Sequence, residues 1–290
     1  MAENNTVRFG PAGNADSFTG KTVDIPEYII KMGLNAYEYQ CGRGVRVNEA
    51  AVTELGRKAR ALDIALSLHA PYYISLSSLE EEKRNASVGY IMQSAQAARL
   101  MGATRIVVHS GSCAKLPRAD ALELAKDTLK KSLAALDEAG YGDIALCPET
   151  MGKVNQLGTL EEVMELCRID ERLIPCIDFG HLNARELGAF KSFEDYRRVF
   201  DCIEDRLGAD RMRQFHSHFS KIEYSAGGEK RHLTFEDTTY GPDFEPVAEL
   251  TLQKGARPIF ICESDGTQAE DAARMRAILN EIGASSNRLE

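Results

Sequence analysis

The chain has 290 residues with 43% hydrophobic and 27% charged side chains, and its formal net charge is −9 at neutral pH. This composition excludes a mainly disordered chain, because the apolar surface is sufficient to offset the entropy cost of ordering. The acidic balance disfavours general attraction to nucleic acid, so a phosphate-bearing partner requires a local basic surface or bound metal ions.

The sequence also bears on the cellular compartment. The N-terminal residues MAENNTVRFG lack the basic start and apolar core of a signal peptide, and no run approaches the roughly 20 apolar residues that cross a bilayer. The seven cysteines have no CxxC spacing, which is typical of reduced core residues. We therefore expect a cytoplasmic monomer with no membrane attachment and no protein partner.

In chain order, short apolar runs alternate with longer segments of helical period. The predicted strands are 7–10, 36–39, 64–69, 105–109, 144–149, 174–178, 213–218 and 258–263. The predicted helices are 22–32, 49–62, 79–101, 119–139, 160–167, 193–206, 245–253 and 269–281. This alternation predicts βαβ units, and eight of them close an α/β fold of the (β/α)8 TIM barrel type. We expect one domain over residues 1–290, with a flexible tail from about residue 283.

Metal-ligand side chains recur where the predicted strands end. Six consecutive strands carry one each at or near the last residue: His69, His109, Glu149, Asp178, His216 and Glu263. In a parallel barrel these ends open onto the face that holds active sites, so we expect the side chains to converge. Converging carboxylates repel one another unless a cation neutralises them. Oxygen and imidazole ligands suit Zn²⁺ or Mn²⁺, so the sequence predicts a metal cluster at the C-terminal face of the strands.

Three further side chains extend this cluster. His181 follows Asp178 by three residues, and Glu229 and His232 lie in the long segment after the seventh strand. Together they form a candidate third metal site. In the seventh strand His216 is the predicted ligand, but strand alternation points His218 to the same side, and the choice between the two stays open.

These residues together resemble endonuclease IV, the family 2 apurinic/apyrimidinic endonucleases, within the xylose isomerase-like barrels. The resemblance covers roughly residues 64 to 280, with the motifs in the family's order. The matching segments are Leu68-His69-Ala70-Pro71-Tyr72, Val108-His109-Ser110-Gly111-Ser112, Pro148-Glu149-Thr150 with Leu157-Gly158, Asp178-x-x-His181, His216 with Ser220-Lys221, and Pro258 with Glu263.

The resemblance implies a zinc-dependent hydrolase of base excision repair that holds two or three Zn²⁺ ions, with Mn²⁺ as an alternative. Family members cut DNA on the 5′ side of an abasic site, where bridged metal ions supply the hydroxide that attacks phosphorus. The implied ligands are His69, His109 and Glu149 for one ion, the bridging Glu149 with Asp178, His216 and Glu263 for a second, and His181, Glu229 and His232 for a third. Glu149 and Glu263 are the implied catalytic carboxylates, as ligands and orienters.

The implied partner is duplex DNA that contains abasic sites. Tyr72 matches the family loop that enters the minor groove and helps to expel the abasic nucleotide, and Tyr73 lies beside it. Without the resemblance, this pair would be interpreted as an aromatic rim, and each nearby cation as an ordinary loop residue about as readily as a phosphate contact. The candidate cations are Arg43, Arg46, Lys153, Lys221 and Arg231.

Two other functions stay open on the sequence alone. A sugar isomerase or epimerase of the same superfamily uses one metal held by a Glu-Asp-His-Glu set, and it has no use for the additional histidines. A catalytically silent barrel that binds damaged DNA or a phosphorylated ligand is the other. This third function stays possible because Glu229 and Phe219 replace aspartates of the family.

Overall fold

Parallel strands close into a barrel in the computed structural model, which describes residues 6–113 and 115–286. The strands are β1 (Arg8–Pro11), β2 (Ala36–Gln40), β3 (Ala65–His69), β4 (Arg105–Val108), β5 (Ala145–Pro148), β6 (Cys176–Asp178), β7 (His216–Phe219), β8 (Lys221–Ser225), β9 (Gly228–Leu233) and β10 (Ile259–Cys262). Two parallel four-stranded sheets, β1-β10-β7-β6 and β2-β3-β4-β5, make the wall. Parallel bridges between Ala12 and Glu38 and between Glu149 and Cys176 join the sheets, which confirms the predicted (β/α)8 fold.

Helices surround the barrel. They are α1 (Ile25–Lys31), preceded by a 3-10 turn (Thr22–Asp24), α2 (Glu49–Ala61), α3 (Glu81–Met101), α4 (Arg118–Glu138), α5 (Leu160–Cys167), α6 (Phe179–Arg185), α7 (Phe193–Leu207), α8 (Ala209–Arg213), α9 (Glu245–Gln253) and α10 (Gln268–Ser286). Apolar residues of these helices and of the outer strand faces form the main core, as at Leu55, Leu129 and Phe260. None of the described helices is long and apolar enough to cross a membrane.

The sequence did not predict three elements. The short helices α6 and α8 and the antiparallel hairpin β8–β9 fall in segments that the sequence predicts as loops or, for Arg213, as a strand. Short elements of this kind carry too few apolar repeats to show a period in the sequence. The last helix continues through Ser286, so residues 283–286 belong to it rather than to a tail, and residues 287–290 lie outside the described part of the chain.

Side chains along β7 alternate between the barrel interior and the surrounding helices. His216 and His218 face inward, whereas Phe219 is fully buried against the rings of Phe179, Phe235 and Phe244 on the outer side. Phe219, which stands where the resembling family has an aspartate, therefore does not face the metal-ligand side chains. The pleat turns its side chain into the core, away from the barrel interior.

The N-terminal mouth of the barrel carries arginines. Arg105, at the start of β4, crosses the barrel floor and donates to the carbonyls of Gln214 at 2.9 Å and Phe215 at 3.3 Å. Arg8 donates to the carboxylate of Asp63 at 2.9 Å. These side chains line a cavity of about 910 Å³. This cationic end contrasts with the opposite mouth, where carboxylates and imidazoles collect.

Candidate metal centre

Side chains from the strand ends converge at the C-terminal mouth in overlapping groups, each with ligand atoms within 4.8 Å of one another. Three of them carry most of the expected ligands: the first is His69, His109 and Glu149; the second, which we call the deep group, is Glu149, Asp178, His218 and Glu263; the third is His181, His232 and Glu263. Two further groups are His69 with His218 and Glu263, and Cys176 with His216 and His218. Seven of the nine metal ligands expected from the sequence thus belong to the first three groups, Glu229 lies beside His181, and His216 belongs only to the group with Cys176 and His218.

Glu149 lies at the centre of the pocket and is fully buried. Its Oε2 is 3.1 Å from His109 Nε2 and 3.5 Å from His69 Nε2, and its Oε1 is 3.0 Å from His218 Nδ1. Burial alone raises the pKa of Glu149, but the facing imidazoles outweigh burial and hold the pKa well below its usual range. Glu149 is therefore an ionised carboxylate enclosed by imidazole nitrogens.

His218, rather than His216, completes the deep group. His218 Nδ1 lies 3.4 Å from Glu263 Oε1, whereas His216 lies one pleat deeper, opposite Ile259 of β10. Both rings point into the barrel, as strand alternation requires, but only His218 is level with Asp178 at the strand ends. The sequence left the choice between the two histidines open, because it could not distinguish two depths on one strand face, and His216 instead shares a group with Cys176 and His218. Burial lowers the pKa of His216 to about 4.

Asp178 has two roles at the junction of β6 and α6. Its Oδ1 accepts the His181 backbone N–H at 2.7 Å and caps the helix, which fixes the turn that brings the His181 ring back over the pocket. Its Oδ2 is buried 3.2 Å from His181 Nδ1 and has no aligned hydrogen bond within the described part of the chain. The His181 Nδ1 hydrogen instead has the Thr150 carbonyl as acceptor at 2.9 Å, which leaves Nε2 available to a ligand.

The hairpin β8–β9 supplies the outer wall of the pocket. Glu229 Oε2 lies 3.5 Å from His181 Nε2, and His232 Nδ1 lies 4.0 Å from Glu263 Oε2 and 2.8 Å from Ser220 Oγ. We call His181, Glu229 and His232 the hairpin group. Burial lowers the pKa of His181, but the carboxylates around it raise the pKa well above its usual range.

Backbone contacts hold the hairpin against the loop after β5. The Glu229 N–H donates to the Gly152 carbonyl at 3.1 Å, and Gly228 has φ of +89°, which favours glycine. A Cβ atom built on Gly152 would lie 2.6 Å from Glu229 Cβ and 2.9 Å from His181 Cδ2. Gly152 therefore provides the space in which the Glu229 and His181 side chains meet.

His69 and Tyr72 form the edge of the pocket next to the loop after β3. His69 Nδ1 donates to the Ala70 carbonyl at 2.7 Å, so its Nε2 is the nitrogen presented to Glu149. The Tyr72 ring packs 5.0 Å from the His69 ring and 5.4 Å from the His109 ring, with 53% of the residue exposed. Tyr73 is half exposed and packs on Tyr90 of α3.

Glu38 is a site residue that sequence reasoning missed. It lies in the middle of β2, is fully buried and faces the barrel interior, where its carboxylate contacts His216 Nε2 and His218 Nε2, each at 3.0 Å. Burial raises the pKa of Glu38, but the two histidines lower it well below its usual range. The available signal was an acid between two tyrosines in a strand that is otherwise buried, since a carboxylate there needs a partner.

The expected DNA-contacting cations differ in their surroundings. Arg43, Arg46 and Lys153 are exposed in loops on the pocket side, and Arg231 is exposed on the hairpin, where it pairs with Glu223 at 2.7 Å. Lys221 does not fit the expectation. Its side chain is only 14% exposed, and its Nζ donates to the Asp237 carbonyl, so it supports the hairpin base instead of facing outward.

The donor set fits divalent metal ions. Glu149 Oε2 and Asp178 Oδ2 are buried without an aligned hydrogen bond in the described residues, and both face imidazoles of the pocket. Burying carboxylate oxygens without partners costs several kcal/mol by order of magnitude, which a cation at the same place would offset. Nitrogen and oxygen donors at this spacing are those that Zn²⁺ and Mn²⁺ accept.

Comparisons with known proteins place this chain in a family. A family model of xylose isomerase-like TIM barrels matches residues 26–281. An uncharacterized protein of Methanocaldococcus jannaschii is 31% identical over 278 residues, which cover 94% of this chain and 97% of that protein. A probable endonuclease 4 of Ureaplasma urealyticum is 27% identical over 184 residues, which cover 61% of this chain and 58% of that protein.

Solved structures share the fold. Endonuclease IV from Thermus thermophilus has a TM-score of 0.69 at 22% identity, with 94% of this chain and 99% of that chain covered. A D-tagatose 3-epimerase-like protein has a TM-score of 0.70 at 19% identity, with 97% and 99% covered. An endonuclease IV and an epimerase-like protein thus share this fold. The chain belongs to the xylose isomerase-like TIM barrel family, within which its sequence resembles endonuclease IV.

Proposed function

We propose that the chain is a metal-dependent phosphodiesterase that incises duplex DNA on the 5′ side of abasic sites, as endonuclease IV does. The observation that carries the proposal is the number of ligand groups around one pocket. The deep group alone offers enough ligands for one ion. In addition, His69 and His109 converge on Glu149 Oε2, the oxygen that does not face His218. His181 and His232 lie next to Glu263 on the hairpin side. A single-metal sugar enzyme has no need of these four imidazoles.

In this proposal the three groups hold two or three Zn²⁺ ions, or Mn²⁺ ions. His69, His109 and Glu149 would hold one, the deep group a second, and the hairpin group with Glu263 a third. Bound divalent ions supply an ionised water at neutral pH and neutralise the phosphate oxygens.

The chain's own residues prepare the pocket for this chemistry. The Ala70 carbonyl fixes a proton of His69 on Nδ1, and the Thr150 carbonyl does the same for His181, so both rings turn Nε2 to the pocket as the nitrogen that would bind a metal ion. Glu149 and Glu263 each join two of these three groups, and we propose that these shared carboxylates orient the reacting centre. Tyr72, half exposed beside His69, is placed to exclude water and to contact the nucleotide next to the scissile phosphate.

Incubation of the metal-loaded full chain with a duplex that holds one abasic site tests the proposal. We expect incision on the 5′ side with a 3′-hydroxyl end, and loss of incision in His69→Ala with retained circular dichroism. Elemental analysis of the purified chain should find two or three tightly held ions. An intact strand with fully metallated protein would overturn the phosphodiesterase assignment.

A sugar isomerase or epimerase is the second candidate, because the deep group is a Glu-Asp-His-Glu set of the type that holds one metal ion. One exchangeable ion and turnover of a ketose would support it. Retained affinity for abasic DNA without strand cleavage would instead identify a binding protein.

A further inference from the structure

Glu38 is an enclosed ionisable group next to the pocket, and the function proposed above does not use it. It lies on β2, which contributes none of the expected ligands, and it is fully buried. Each of its two carboxylate oxygens has two donors within reach. Gln40 Nε2 at 3.1 Å and His218 Nε2 at 3.0 Å face Oε1, and Ser67 Oγ at 2.9 Å and His216 Nε2 at 3.0 Å face Oε2.

The two sides of the His218 ring have different partners. Nδ1 faces Glu149 Oε1 and Glu263 Oε1 in the deep group, at 3.0 Å and 3.4 Å. Nε2 faces the barrel interior and has no aligned acceptor among the described residues, and the oxygen within its reach is Glu38 Oε1. An imidazole that offers one nitrogen to a metal ion must keep its proton on the other nitrogen.

We infer that Glu38 is a positioning residue that holds the proton of His218 on Nε2 and thereby makes Nδ1 the ligand nitrogen. This inference rests on the proposed metal centre. In it, His216 is a second donor to the same carboxylate and fixes the rotation of Glu38 instead of binding the ion. Carboxylate partners of this kind hold ligand rings in one tautomer and one orientation.

The contacts of Ser67 and Gln40 support this role. Both donate to Glu38, so the carboxylate is held from β2 and β3 at once, while His216 and His218 approach from β7 on the opposite side of the barrel. Three aligned donors, Gln40, Ser67 and His216, fix the orientation of the carboxylate, and His218 Nε2 lies within reach of it at 3.0 Å. Glu38 therefore connects opposite walls of the barrel directly beneath the deep group.

Substitutions at Glu38 provide the first test. Glu38→Leu removes both acceptor oxygens, and Glu38→Gln keeps one. We expect Co²⁺ and Zn²⁺ affinity to fall about 10- to 100-fold in Glu38→Leu, the range for removal of such partners, and by less in Glu38→Gln. The control is Glu162→Leu, which removes a partly buried carboxylate paired with Arg118 at the start of α5 and in none of the metal-ligand groups. Equal metal affinity in Glu38→Leu and Glu162→Leu would overturn the inference.

Nuclear magnetic resonance of the wild-type ring nitrogens provides a test that does not depend on a variant folding. In the Zn²⁺-loaded full chain, we expect His218 to retain a hydrogen-bonded proton on Nε2, and this signal to be lost in Glu38→Leu. A His218 ring with its proton on Nδ1 would overturn the inference. If the His218 Nε2 proton is observed but the protein does not incise abasic DNA, the phosphodiesterase proposal is overturned and the role of Glu38 is still supported.

Discussion

The deep group and the hairpin group differ in how the chain holds them. Members of the deep group stand at the ends of β5, β6, β7 and β10, and Glu149, Asp178 and His218 are fully buried. The hairpin group depends on a short helix and on a two-stranded insertion, and the Glu229 and His232 side chains are 15% and 28% exposed. The barrel wall thus fixes one set of ligands, and local turns fix the other, so we expect substitutions in the two groups to differ in severity.

The largest expected effect is that of Glu149→Gln. Glu149 contacts imidazoles from both sides of the pocket, so its loss removes a shared anion and leaves a buried amide against His109 and His218. We expect incision of abasic DNA to fall by at least about 10²-fold, as when charge-stabilising groups are removed. Gel assays of reactions stopped at fixed times measure the rate of incision, and elemental analysis measures the bound metal. Near-normal incision would show that the deep group is not the reacting centre.

Two substitutions on β7 test whether the depth of a histidine in the barrel decides how strongly it affects metal binding. His218→Asn removes a member of the deep group, whereas His216→Asn removes a donor to Glu38 one pleat below, which shares a group only with Cys176 and His218. We expect the first to weaken Zn²⁺ binding by more than about 100-fold and the second by about tenfold. Calorimetric titration of the two variants measures the order. A larger loss of Zn²⁺ affinity in His216→Asn than in His218→Asn would show that His216 is the ligand.

Acidification should weaken metal binding. Burial lowers the pKa of His218 and His181, but Cys176 and the carboxylates around His218, and the carboxylates around His181, raise the pKa of both rings above the usual value, so we expect a metal ion to displace protons there. The apparent Zn²⁺ affinity should rise with pH by up to about tenfold per pH unit for each displaced proton. Titrations in buffers of different ionisation enthalpy count the released protons. Affinity that does not change with pH would contradict protonated rings in the metal-free state.

The smallest expected effect is that of His232→Asn on the hairpin. His232 shares ligand distances with His181 and Glu263, and the deep group does not include it. We expect the loss of one bound ion and a reduction of incision by about tenfold, with the remaining ions retained. Elemental analysis before and after dialysis checks the count. Loss of every ion would show that the two groups are not independent.

The sequence predicted three members of the deep group because their positions follow from strand geometry. Glu149, Asp178 and Glu263 each end or follow an apolar run, and parallel strands deliver such residues to one mouth. The same argument predicted the barrel itself. It could not choose between His216 and His218, because a period of two residues fixes the face of a strand and leaves the depth undetermined.

Residues outside that geometry were harder to predict. Glu38 lies in the middle of β2, and the prediction considered only residues at strand ends. Its partner His216 lies on a strand 178 residues away in the chain. Hairpin β8–β9 carries polar residues with no apolar period, so the sequence placed Glu229 and His232 only in a long segment after the seventh strand. The sequence also could not show that the Lys221 side chain is mostly buried against the base of the hairpin.

Gly152 makes the outer wall of the pocket sensitive to a single methyl group. Any side chain at this position must move the Glu229 and His181 side chains apart, because the backbone bond from Glu229 to the Gly152 carbonyl prevents the hairpin from retreating. An alanine there would leave every ligand in the sequence and still separate two of them. Loss of function in this barrel can therefore arise at a residue that has no chemistry of its own.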